Sequence, residues 1–60
     1  MWEVLGIILF NGTMYGNVHN GVVLPKPRYP KIEDAVAAKW EPLNVVHDGD
    51  YIGYYFKRQL

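Results

Sequence analysis

The side chains able to do chemistry are few, and their spacing limits what they can do. The 60-residue chain has no serine and no cysteine, and Thr13 is its one aliphatic hydroxyl. Nucleophilic catalysis therefore lacks its usual starting pair, a nucleophile beside a base. His19 and His47 each stand next to a turn-forming step, Asn20-Gly21 and Asp48-Gly49. Neither is spaced from a carboxylate in a way that supports acid–base work, and the two are too far apart in sequence to suggest zinc. His47-Asp48-Gly49-Asp50 offers two carboxylates, but a calcium loop needs several more oxygen ligands at set positions. A hairpin turn accounts for the segment. The expectation is a non-enzymatic protein without metal or cofactor.

Two groups of residues suit binding instead. Lys26, Arg28, Tyr29 and Lys31 form a short basic and aromatic run on a proline-rich stretch. Such a run can grip a phosphate while a tyrosine stacks on a base, or present a polyproline surface to a partner. A solvated linker explains it more simply. Lys57 and Arg58 join that patch if the last strand lies beside it. Tyr15, Tyr51 and Tyr55 supply the second group, because tyrosine buries area while keeping a polar handle. The expected ligand or interface residues are thus Tyr15, Lys26, Arg28, Tyr29, Tyr51, Tyr55, Lys57 and Arg58.

The elements that position them read as β-β-α-β-β in one domain. Residues 1–24 form an N-terminal hairpin. Trp2, Val4, Ile8 and Phe10 share one face of its first strand, and Leu5, Ile7 and Leu9 share the other; a run apolar on both faces belongs mid-sheet. Asn11-Gly12 is a strong hairpin signal. From Thr13 to Leu24 the chain makes either one strand bulged at Asn20-Gly21 or two short strands, with the bulged strand favoured. Residues 25–30 are a connector that its prolines keep out of a central strand. A helix is expected over 31–40, with Ile32, Val36 and Trp40 as its apolar stripe and Pro42 ending it. Residues 43–58 are a second hairpin, closing on Tyr51-Ile52-Gly53-Tyr54-Tyr55-Phe56-Lys57-Arg58.

The step Ala38-Lys39-Trp40-Glu41 and the following hairpin resemble a family of short bacterial and phage domains of unknown function. Those run from a helix into a Gly-Trp-Glu-like step, then a strand, a turn and a strand ending Phe-Lys-Arg. Trp40, Glu41, Val45, Tyr54, Phe56, Lys57 and Arg58 carry the likeness over about 20 residues. Lys39 stands where that family has glycine, and Pro42 departs from its pattern. The resemblance implies a fold and a tendency to be small, and points to no particular activity.

Composition sets the remaining bounds. A chain this short buries only about 60% of its unfolded surface, and without cysteine it has no disulfide to staple it. Six basic residues balance six acidic ones, which removes the basic footprint of a nucleic-acid binder. Residues 1–24 hold one charge, Glu3. Val4 to Phe10 is far shorter than the ~20 residues of a spanning helix, so a soluble, cytoplasmic protein is expected. The fold class expected is α+β: a small antiparallel sheet, one face under the helix, the other covered by oligomerisation. One ten-residue helix is about 15 Å long and covers one face only, leaving some of Leu5, Ile7, Leu9, Tyr51 and Tyr55 bare. Such a patch marks an interface or a ligand site. The function expected is a homo-oligomeric binding module, of phage type, holding or sequestering a small anionic, nucleotide-like ligand at its subunit seam. The alternative is a small inhibitor or adaptor docking on a host protein through the bare face.

Overall fold

Two Asn-Gly steps fold the N-terminal part of the chain back on itself. The computed structural model describes all 60 residues. Asn11 (φ 49°) and Gly12 (φ 77°) are both left-handed, as a type I′ turn demands, and they join β1 (Trp2–Phe10) to β2 (Thr13–His19). Asn20 and Gly21 repeat the geometry, with φ of 50° and 82°, and return the chain as the two-residue β3 (Val22–Val23). Residues 13–24 are therefore two strands and not one. After residues 24–31 and a short helix α1 (Ile32–Ala37), β4 (Glu41–Asp48) and β5 (Tyr51–Gln59) form the second hairpin. Gly49, at φ 60°, takes the turn position that type II′ reserves for glycine.

The five strands make one antiparallel sheet in the order β3-β2-β1-β5-β4. This corrects the α+β expectation. The domain is mostly sheet, and its one helix has six residues, too short to form a layer. The reason lies at Lys39, whose φ of 71° is left-handed. Its amide donates to the Val36 carbonyl, and the Trp40 amide donates to that of Ala35, the paired bonds of a Schellman stop. The helix ends before Trp40, so no Ile32–Val36–Trp40 stripe exists. Ala35 is the one helical residue fully buried, Val36 is half exposed at 52%, and Trp40 enters the core from beyond the stop. Lysine is strained in this conformation, so Lys39→Gly is expected to stabilise by about 0.5–1 kcal/mol. Thermal melts should show a gain of a few degrees.

Register decides which residues share a side. Leu5 lies opposite Phe56 and His19, and Ile7 opposite Tyr54 and Asn17. Directly opposed residues point the same way, so these six face α1 and the connector. Leu5, Ile7, Ala35, Trp40 and Phe56 form the core there, with Met14, Tyr29, Ile32 and Tyr54 packed around them. This corrects the expectation that Leu5, Ile7 and Leu9 share the bare face with Tyr51 and Tyr55. Leu5 and Ile7 are 1% and 0% exposed.

Residues 24–31 are held down rather than solvated throughout. Asn17, fully buried, accepts a hydrogen bond from the Tyr29 amide at 2.7 Å and donates to the Tyr29 carbonyl at 3.3 Å. The side-chain amide thus replaces a neighbouring strand at one point of the connector.

Candidate functional site

The other side of the sheet has no cover. It carries Trp2, Val4, Gly6, Ile8 and Phe10 from β1, with Lys57, Tyr55, Gly53 and Tyr51 opposite the last four of these on β5. The ladder between β1 and β2 shifts at Ile8/Leu9, leaving Tyr15 without an opposed residue. A bulge re-aims the side chain it leaves over, and here it sets Tyr15 edge-on to Tyr51 at 5.4 Å. Phe10 packs against the same ring at 4.8 Å. Trp2, Phe10, Tyr15 and Tyr51 are 51%, 37%, 66% and 39% exposed.

Tyr55 has a different role. A Cβ built on Gly6 or on Gly53 would come within 2.8 Å of its Cε1 or Cε2. The ring therefore lies flat across both glycines and needs them. Between the Tyr51 and Tyr55 rings lies a notch of about 260 Å³, lined by Ile8, Val46 and Gly53 with Asp48 at its rim. A second, wholly different groove of about 270 Å³ runs between α1 and β4, lined by Ile32, Val36, Leu43 and Val45 among others. All eight residues of β4 are exposed, as an edge strand's are. Pro42 and the irregular pairing between Pro42 and Asn44 blunt that edge against further strands.

The covered face ends in a charged cluster. Glu3, 5% exposed, lies opposite Arg58 in the ladder. Arg58 Nε donates to its Oε2 at 2.7 Å, and His19 Nε2 lies 2.7 Å from Oε1. The Arg58 guanidinium stacks 4.3 Å above the Trp40 ring and donates to the Ala38 carbonyl at 3.0 Å. Trp40 Nε1 donates to the Tyr29 hydroxyl at 3.0 Å. Every buried side-chain nitrogen and oxygen has a partner. The Glu3–His19 pair has the form of an acid–base dyad. Thr13, the one aliphatic hydroxyl, stands six residues away at the other end of β2, about 20 Å off. What the cluster does is lock the open ends of β1, β2 and β5 together.

That lock depends on pH. The Arg58 hydrogen bond, then that of His19, holds the Glu3 carboxyl below its ordinary value of 4.5 against the opposing effect of burial. A carboxyl lowered in the folded state contributes stability above its unfolded value and loses it as pH falls through the folded one. The melting temperature should thus drop as pH falls below about 4.5. Glu3→Gln should start lower and flatten that limb; an unaltered limb would show that other carboxylates carry it.

The residues expected to bind are dispersed. Tyr15, Tyr51, Tyr55 and Lys57 share the bare face. Tyr29 and Arg58 belong to the covered face and are engaged there. Lys26 and Arg28 are exposed on the connector. Lys57 rests its Nζ 4.8 Å from the centroid of Trp2. Sequence reasoning missed Glu3, Asn17 and the two glycines under Tyr55; the lone charge of Glu3 within an apolar stretch was the available signal. No three His, Asp or Glu side chains are grouped to hold a metal, and no helix is long and apolar enough to cross a membrane. Fold and site together define a small, mostly-sheet domain with one locked face and one bare aromatic face. No protein-family model, no curated protein and no solved structure matches the chain.

Proposed function

We propose that this protein is a non-enzymatic binding module that works as a homo-oligomer, with the aromatic sheet face as its interface. One observation carries the reading: Trp2, Val4, Phe10, Tyr15 and Tyr51 are exposed on a face that no element of the chain reaches. The molecule measures 32 × 21 × 21 Å, so the face has a footprint on the order of 700 Å², close to the ~800 Å² per partner of a standard interface. Leaving the Trp2, Phe10, Tyr15 and Tyr51 rings in water is unfavourable, and tyrosine and tryptophan are the residues enriched where proteins meet. Zero net charge adds no long-range repulsion between copies. A small anion on this face has less support. Asp48 is the charge at the notch, Arg58 is held by Glu3, and Lys57 sits on Trp2.

Sedimentation across the micromolar range tests the proposal. The mass should rise with concentration to a dimer or higher species. Tyr51→Glu should return it to a monomer with an unchanged far-ultraviolet circular dichroism spectrum. A wild-type chain that stays monomeric throughout would refute it.

A further inference from the structure

We infer that two copies stack their bare faces antiparallel, with Lys57 of each entering the notch between Tyr51 and Tyr55 of the other and meeting the partner's Asp48. This rests on the reading of that face as an interface and assigns its occupant and register.

The relief of the face is self-complementary. Along the bare side of β5 run Tyr51, Gly53, Tyr55 and Lys57, spaced about 7 Å apart. The notch between Tyr51 and Tyr55 and the projection at Lys57 lie on opposite sides of Tyr55. A two-fold axis lying between the sheets and crossing the strands at Tyr55 exchanges them. On β1, Gly6 lies opposite Tyr55, Ile8 opposite Gly53 and Val4 opposite Lys57. The same axis therefore sets Val4 over the partner's Ile8 and Trp2 over the partner's Phe10. Residues nearest the axis are thin. Tyr55 lies flat on two glycines, which lets the sheets approach to the usual ~10 Å.

Charge selects this arrangement over the other two-fold. An axis running along β5 would oppose Lys57 with Lys57 and set Asp48 over the partner's β1 beside Phe10, and like charges set together are unfavourable. The crossing axis places an ammonium between two tyrosine rings and beside a carboxylate, combining cation–π and ionic attraction. In the single chain Lys57 rests on Trp2. Its flexible four-carbon stem swings away as Trp2 takes up the partner's Phe10.

Charge exchange between copies tests the register. Asp48 lies opposite Tyr51, six residues along β5 from Lys57, about 20 Å away in the same chain, so the two meet only between copies. Lys57→Glu and Asp48→Lys should each weaken the dimer by about tenfold or more. Mixing the two single variants should restore it to near wild-type affinity, because a mixed dimer has both pairs complementary. Lys57→Met, measured beside Lys57→Glu, separates lost attraction from repulsion by Glu41, which lies opposite; its dimer should also be weakened. A dimer disrupted by Tyr51→Glu but insensitive to both charge variants, or not restored by mixing, would overturn this register while leaving the face as interface. A wild-type monomer would overturn both.

Discussion

Trp40→Ala is expected to abolish the cooperative thermal transition. Trp40 is 2% exposed and touches every device that closes the covered face. Its ring meets Tyr29 and His19 edge-on at 6.2 and 6.0 Å, lies under Arg58, and donates to the Tyr29 hydroxyl. Truncating a buried tryptophan costs about 3–5 kcal/mol. A folded domain has roughly 0.05–0.15 kcal/mol per residue, so a 60-residue chain holds on the order of 3–9 kcal/mol in total. The loss is comparable to the whole. Trp40→Phe keeps most of the packing and removes the indole donor and the wider ring beneath Arg58, for about 1–2 kcal/mol. Thermal melts of both variants by far-ultraviolet circular dichroism check the order. A Trp40→Ala chain melting within a few degrees of wild type would show that Tyr29 and Arg58 close the face without it.

Asn17→Ala is expected to release residues 24–31 from the sheet. Asn17 is 0% exposed, and its amide is the pair of hydrogen bonds that fixes Tyr29. Alanine leaves the Tyr29 amide and carbonyl without those partners and opens a gap beside Ile7, at about 2–4 kcal/mol. The Tyr29 amide should exchange its hydrogen markedly faster, and protease should cut the connector first. Asn17→Asp keeps the acceptor for the Tyr29 amide but sets an oxygen against the Tyr29 carbonyl and buries a charge, so it should be no milder. Unchanged exchange at Tyr29 in Asn17→Ala would mean that packing alone holds the connector.

The parts of the fold legible in the sequence are those set by local chemistry. Asn11-Gly12 announces its turn because few other pairs accept two left-handed residues in a row; Asn20-Gly21 has the same chemistry, but the two-residue β3 it leads into is too short to tell a turn from a bulge by pattern. The two-sided apolar run from Trp2 to Phe10 reads as a central strand for a similar reason, and β1 lies between β2 and β5. What stayed hidden depends on pairing. Alternation gives two sets of side chains per strand, yet only the register of β1 against β5 says which sets lie together. Alternation alone therefore groups Leu5 and Ile7 with Tyr51 and Tyr55. Ile32, Val36 and Trp40 repeat every fourth residue and so read as one helix reaching position 40, past its end at Ala37. Lysine gives no sign that position 39 is left-handed, and that turn is what takes Trp40 out of the helix. Glu3 and Arg58 meet across 55 residues of sequence, so no local spacing announces them. Tyr15 reaches Tyr51 through a bulge that its neighbours do not encode.

The β1–β5 ladder also sets the order in which the molecule comes together. The β1–β2 and β4–β5 pairs are hairpins closed by two-residue turns, and hairpins of this kind form in about 1–10 μs. The ladder joining them pairs Phe10 with Tyr51 and Trp2 with Gln59, near opposite ends of the chain. It also assembles the lock, because Glu3 is on β1 and Arg58 on β5. Neither hairpin buries much alone, since Leu5 and Ile7 lack Phe56 and Tyr54 until the two halves dock. The core and the lock therefore form together at the ladder with the longest sequence separation, the slow kind of contact to close, and the connector, with its three prolines at 25, 27 and 30, is a stiff tether that limits how the two halves approach.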